Sequence, residues 1–261
     1  MNNPEEEKMT FGGHLEVLRQ MLFRVLAVTG VFAIAIFCFK DETFSLLFAP
    51  SEYDFVTYQW IERLLNLMGI DFKFAEYHVS LIATDLSSQF MTHISTSIYL
   101  GLLLASPYIL FELFRFVSPA LYDNEKQYTS WALVVIYFLF GIGMLMSYFI
   151  LFPISFRFLG TYSVAEKVVS NITLDSYIDT FTTLTLVMGL VFQLPVISFV
   201  LAKLGFIESK MLTEYRQYAL LIIMILAAII TPPDIMTLIL VTIPLYMLYE
   251  ISIRVCNYLE K

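Results

Sequence analysis

Five stretches of this chain, residues 22–39, 98–116, 131–152, 181–201 and 235–253, run almost unbroken through apolar side chains. A bilayer core of ~30 Å is crossed by about 20 helical residues. Lipid offers no hydrogen bonds, so a spanning segment must satisfy its own backbone, which an α-helix does. With 59% of residues hydrophobic and 15% charged, the chain is too apolar for one soluble core. A sixth stretch, residues 218–230, is apolar but short, reaching only ~20 Å as a helix.

Thr231-Pro232-Pro233-Asp234 separates that short stretch from the last one. Consecutive prolines cannot continue a helix, and Asp234 can cap the next, so the pair reads as a tight helical hairpin. Its shortness requires either that flanking residues such as Arg216 snorkel or that the bilayer thins. The expectation is all-α: a polytopic six-transmembrane-helix bundle, one domain over 1–261, with an N-terminal segment 1–21 and a tail at about 254–261. An even number of spans puts both termini on one side. Placing them in the cytoplasm leaves only Lys40, Arg63, Lys73, Arg157 and Lys167 outside, as the positive-inside rule favours.

The stretch after Glu5, Glu6 and Glu7 lacks the basic flank of a cleavable signal and continues past Ala35, so it reads as a retained span. In the first outer loop, Trp60, Leu64, Leu65 and Met68 recur at helical spacing while Glu62, Arg63 and Asn66 take the other side. That pattern predicts an amphipathic helix on the outer surface or against the bundle. Cys38 and Cys256 fall at opposite sides of the membrane in this topology, so no disulfide joins them.

A net charge of -8 with no Lys/Arg cluster excludes a nucleic-acid surface. No HExxH, CxxC, G-x-S-x-G or Walker pattern occurs, and His14, His78 and His93 are scattered, so neither catalysis, a metal nor a cofactor is expected. Polar groups within or beside the spans are Glu112, Gln193, Asp234 and Glu250. Such groups are expensive in hydrocarbon and point to function by default. Glu112 and Glu250 lie close enough to the cytoplasmic face to reach water, and Asp234 can serve as a cap, so structural roles compete with functional ones.

Ala105-Ser106-Pro107-Tyr108-Ile109-Leu110, followed by Phe116-Val117-Ser118-Pro119-Ala120-Leu121-Tyr122 and Glu125, resembles the most specific signature of the TatC family. The resemblance extends through His14-Leu15-Glu16-Val17-Leu18-Arg19, Ala83-Thr84-Asp85, Phe192-Gln193-Leu194-Pro195 and Thr231-Pro232-Pro233-Asp234. It implies a cup-like bundle in the bacterial cytoplasmic (inner) membrane that binds twin-arginine signal peptides of folded precursor proteins. It also implies an oligomeric complex with single-span TatA-type and TatB-type partners, embedded in membrane lipid, with export driven by the proton-motive force. The signal-binding patch would combine Phe116, Leu121, Tyr122 and Glu125 with His14, Leu15, Glu16, Leu18 and Arg19. The resemblance groups Pro50 and Asp85 with Gln193 and Asp234 as residues of partner contact or transport. Carboxylates suit guanidinium groups because the hydrogen bonds are charge-assisted and often bidentate.

Two positions depart from the family pattern His-Leu-x-Glu-Leu-Arg and its relatives. Val17 stands where the glutamate is usual, with Glu16 one residue earlier and ~100° around a helix. Gln193 stands where many relatives carry glutamate, and an amide cannot titrate. The outer loop 51–77 is long for the family. A competing reading is a small-solute or ion transporter built around Gln193 and Asp234, but such proteins often show paired internal repeats, and none is visible here.

Overall fold

The computed structural model describes residues 11–77, 79–117, 126–163, 165, 171–203, 205–232 and 234–259. Eleven helices follow one another among them: α1 (Phe11–Cys38), α2 (Lys40–Phe48), α3 (Val56–Leu67), α4 (Ser88–Val117), α5 (Lys126–Met146), α6 (Phe152–Thr161), α7 (Leu174–Val191), α8 (Leu194–Lys203), α9 (Ser209–Glu214), α10 (Arg216–Ile230) and α11 (Ile235–Leu259). Five segments are long and apolar enough to cross a membrane: Leu15–Cys38, Ser88–Leu113, Leu133–Thr161, Leu174–Lys203 and Ile235–Leu259. The shorter apolar helix is α10. This is a mostly helical, multi-pass membrane protein.

Proline shapes these spans by leaving helical carbonyls without their donors. Pro107 lies inside α4, and the carbonyl four residues back belongs to Leu103. The Ser106 hydroxyl donates to that oxygen at 2.6 Å, replacing the missing N–H. The third span joins α5 to α6 through a π-turn, Ser147–Leu151. Pro153 then withholds its N–H from the Phe149 carbonyl, and the hydroxyl of Thr57 on α3 donates to that oxygen. Tyr58 on the same helix donates to the Pro153 carbonyl at 2.7 Å. Burial pushes the Tyr58 phenol above its ordinary pKa, with the Tyr77 hydroxyl adding to the effect, so it remains a donor. The amphipathic helix expected in the outer loop therefore forms and packs on the bundle.

The fourth span begins earlier than its apolar run suggests and breaks between α7 and α8. Pro195 cannot bond to the Val191 carbonyl, and the chain turns at Phe192-Gln193, where the Gln193 N–H reaches Leu190 O at 3.0 Å. At the helix start, Asp175 accepts from Ser88 Oγ at 2.7 Å and from Thr92 Oγ1. Those partners let an acid sit where the sequence alone argues against a span. Two short strands, β1 (Leu81–Ile82) and β2 (Ile172–Thr173), pair in parallel and tie together the loops on this side. An all-α reading did not anticipate that bridge.

The core lies between the third span, the fourth span and the final hairpin, around Leu151, Phe152, Tyr177, Leu184, Met188, Ala227 and Leu245. Phe152 meets both Tyr177 and Phe181 edge-on at 5.0 Å, a favoured aromatic geometry. Gly143 lets α5 approach α7: a Cβ there would lie 2.5 Å from the Met188 carbonyl oxygen. Gly141, half a turn away, has open space around it. Gly143→Ala should therefore cost about 1–3 kcal/mol through overpacking, while Gly141→Ala should be neutral or slightly stabilising. Thermal unfolding of the two variants in detergent checks the contrast, and equal melting temperatures would contradict the close α5–α7 approach.

Candidate signal-binding face

The helices α1 and α4 run antiparallel in register. Phe37 stacks on His93 at 4.2 Å. Ala33 meets Gly101, whose absent Cβ would stand 2.8 Å from the Ala33 backbone nitrogen. Arg24 Nη1 reaches Glu112 Oε1 at 3.4 Å. Each turn towards the N-terminus of α1 is thus matched by a turn towards the C-terminus of α4. Continuing that register sets Leu18 and Arg19 level with the last turn of α4, which carries Phe116.

On α1, Leu15, Glu16 and Arg19 are exposed and Leu18 is half-buried. Glu16 Oε2 pairs with Arg19 Nη1 at 3.5 Å, and its Oε1 accepts from Gln20 Nε2 at 3.2 Å. Both partners are themselves solvent-facing, so a peptide guanidinium can exchange with them at small cost. Val17 is exposed as well. His14 and Phe116 are placed here by backbone alone, whereas Leu121, Tyr122 and Glu125 lie outside the described residues.

The other polar positions separate into distinct environments. Glu112 is buried, and its Oε1 accepts from the Tyr108 hydroxyl at 2.9 Å as well as facing Arg24. It joins α1 to α4 one turn below Phe116. The pairing with Arg24 across the two helices was not legible in the sequence. Glu250 is held by Arg216, with Nε–Oε1 at 2.9 Å and Nη2–Oε2 at 3.0 Å. Arg216 is thereby a bidentate clasp across the α10–α11 hairpin as well as a flanking cation.

Gln193 is 7% exposed. Its Nε2 donates to the Ile136 carbonyl at 3.1 Å, fixing α5 against the break in the fourth span. Its Oε1 is buried without a partner among the described residues. Asp234 caps α11, its Oδ1 accepting from the Thr237 N–H at 2.6 Å. Pro50 is buried in the short turn Ala49–Ser51. Asp85 is exposed, and its carbonyl accepts from the Ser88 N–H at 3.1 Å. The structure does not gather these four into one site with the α1–α4 face. Among the described residues, no group of three or more His, Cys, Asp or Glu side chains could hold a metal ion.

Several apolar helices long enough to span a bilayer, packed around one core, define a multi-pass helical membrane protein. Residues 13–244 match the family described as Sec-independent protein translocase protein (TatC), and the chain belongs to that family. It is similar to the Sec-independent protein translocase protein TatC of Desulforapulum autotrophicum, 35% identical over 95% of this chain and 84% of that protein. The TatC of Blattabacterium sp. subsp. Periplaneta americana is 33% identical over 98% of both chains. A crystal structure of the twin arginine translocase receptor TatC superposes with a TM-score of 0.74 at 30% identity, covering 95% of this chain and all of that one. A second, in DDM, gives 0.75 over 93% and 99%.

Arg24→Leu should leave the buried Glu112 carboxylate with Tyr108 alone and destabilise the α1–α4 pair by about 1–3 kcal/mol. Arg24→Leu/Glu112→Leu should recover much of that loss, because replacing both members of an ion pair is cheaper than orphaning one. Unfolding midpoints in detergent test this ordering, and a double variant less stable than the single one would refute it.

Proposed function

We propose that this chain is the signal-recognising core subunit of the twin-arginine translocation system. In this reading it binds twin-arginine signal peptides of folded precursors at the cytoplasmic end of α1 and α4. The observation that carries the reading is the α1–α4 register, which sets Leu18 and Arg19 level with the turn bearing Phe116. The short helix α10 counts as a sixth span, both termini are cytoplasmic, and the membrane is the bacterial inner membrane. The lysine and arginine asymmetry supports that orientation. TatA-type and TatB-type single-span subunits are the partners, and transport draws on the proton-motive force. Gln193 contributes there as a hydrogen-bonding group, since its amide does not titrate. The transporter alternative gains nothing from the geometry, because Gln193 and Asp234 serve separate helix-packing and capping roles.

Glu125 is the main carboxylate for the signal's arginines, because it keeps the family position while Val17 does not. Charged hydrogen bonds in a partly desolvated site contribute ~1.5–3 kcal/mol, which is roughly ten- to hundredfold in affinity. Binding of a twin-arginine peptide to the detergent-solubilised chain should fall in the order wild type, Glu125→Gln, Glu125→Arg, and a twin-lysine peptide should discriminate less between them. Val17→Glu should tighten binding. Equal affinity of wild type and Glu125→Arg for the twin-arginine peptide would remove Glu125 from the site.

A further inference from the structure

The helix α3 turns an apolar stripe away from the protein. Tyr58 and Thr57 hold it to the third span, while Trp60 is 67% exposed, Leu64 57% and Leu67 87%. Between that stripe and the third span runs an open groove of about 530 Å³, lined by Trp60, Ile61 and Leu64 on one wall and Phe149, Ile150 and Ile154 on the other. Its lining is almost wholly carbon. The proline-orphaned Phe149 carbonyl, which would otherwise give the groove a polar wall, already accepts from Thr57.

The depth of the groove says what fills it. The apolar third span begins at residue 131, and ~30 Å of hydrocarbon at 1.5 Å per residue ends near residue 151. The groove residues Phe149, Ile150 and Ile154 straddle that level. Phe138, Phe149 and Ile150 are exposed along the same span, so the groove continues the lipid-facing surface into a cleft at the headgroup boundary. Tryptophan and arginine are the side chains suited to that boundary. At 100° per residue, exposed Arg63 lies ~100° from Leu64 and ~160° from Ile61 around α3, off the groove wall, so the groove itself offers only apolar contact.

We infer that α3 and the third span form a binding site for one membrane phospholipid, with an acyl chain in the groove. The volume falls within the ~300–1,000 Å³ usual for small-ligand sites. The lipid belongs to the leaflet on the α3 side, and the site stands independently of signal recognition at the other end of the bundle. Its role is to hold α3 at a fixed depth by completing an apolar surface that the protein leaves half-built.

Trp60 is itself the reporter, because the chain has only one other tryptophan, Trp131. The full chain carrying Trp131→Phe, in dodecyl maltoside micelles, is titrated with phosphatidylglycerol brominated at mid-chain, and Trp60 fluorescence is read against unbrominated lipid. Quenching should saturate at a low mole fraction of lipid. Filling the groove with Ile61→Phe/Ile154→Phe should raise the half-saturating fraction at least about tenfold. Leu64→Asp, at an exposed position that the core does not need, should do the same if the filled variant fails to fold. Arg63→Gln, off the groove wall, should leave the half-saturating fraction within about twofold, and a loss of about tenfold there would contradict seating of the chain between Trp60, Leu64 and Ile154. Quenching that rises in proportion to lipid fraction with one slope in all variants would show that Trp60 senses only the micelle belt and would overturn the site. Absence of quenching would overturn it equally, by showing the groove closed by protein.

Discussion

A carbonyl that loses its helical partner inside hydrocarbon has no water to turn to, and two proline sites in this bundle show how the constraint is met. At Pro107 the neighbouring Ser106 hydroxyl supplies the donor from within the same helix. At Pro153 the donor comes from another element, Thr57 of α3, so a local backbone defect becomes the anchor of that helix. At the break before Pro195, Gln193 turns the relationship round: a side-chain amide seeks a backbone carbonyl of α5 and draws two spans together. Proline placement thus decides which elements touch.

The same economy governs charge. Three acids in or beside the spans have partners suited to their depth. Asp175 takes two hydroxyls, Glu112 takes an arginine and a phenol, and Glu250 takes a bidentate guanidinium. Glu16 differs, being exposed and paired only with solvent-facing neighbours on its own helix. Buried acids hold helices together, while an exposed one at the bundle's end stays available to an incoming cation. The antiparallel α1–α4 pair connects the two roles, since the Arg24–Glu112 contact that fixes its register lies just below the face proposed to bind the signal.

Spans dominated by aliphatic side chains were legible in the sequence because hydropathy and length are one-dimensional properties. The start of the fourth span was hidden, since Asp175 and Asp179 dilute its apolar run and the Ser88 and Thr92 partners of Asp175 come from 83 to 87 residues away. The third span was read as ending near Pro153, yet the helix runs on through it, because Thr57 supplies the donor that the Phe149 carbonyl loses. The α3 helix was found by its periodicity, but its bound face was not: the buried residues are Thr57 and Tyr58, polar groups recruited by the carbonyls of Phe149 and Pro153. Arg216 was legible as a flanking cation and its clasp on Glu250 was not, because pairing across a hairpin depends on the register set by its turn. For the proposed signal-binding patch, the sequence supplied the residues, and the α1–α4 register brings Leu18 and Arg19 level with the turn of α4 that carries Phe116.

The most direct test of that arrangement is site-specific photocrosslinking in native membranes. A photoreactive residue at Leu18, at Phe116 or at Trp60 is challenged with a twin-arginine precursor and with its twin-lysine form. Leu18 and Phe116 should both crosslink to the signal region of the twin-arginine precursor and far less to the twin-lysine form, with Trp60 silent towards both. Crosslinks from Trp60 with none from Leu18 or Phe116 would put recognition at the wrong end of the bundle and contradict the account.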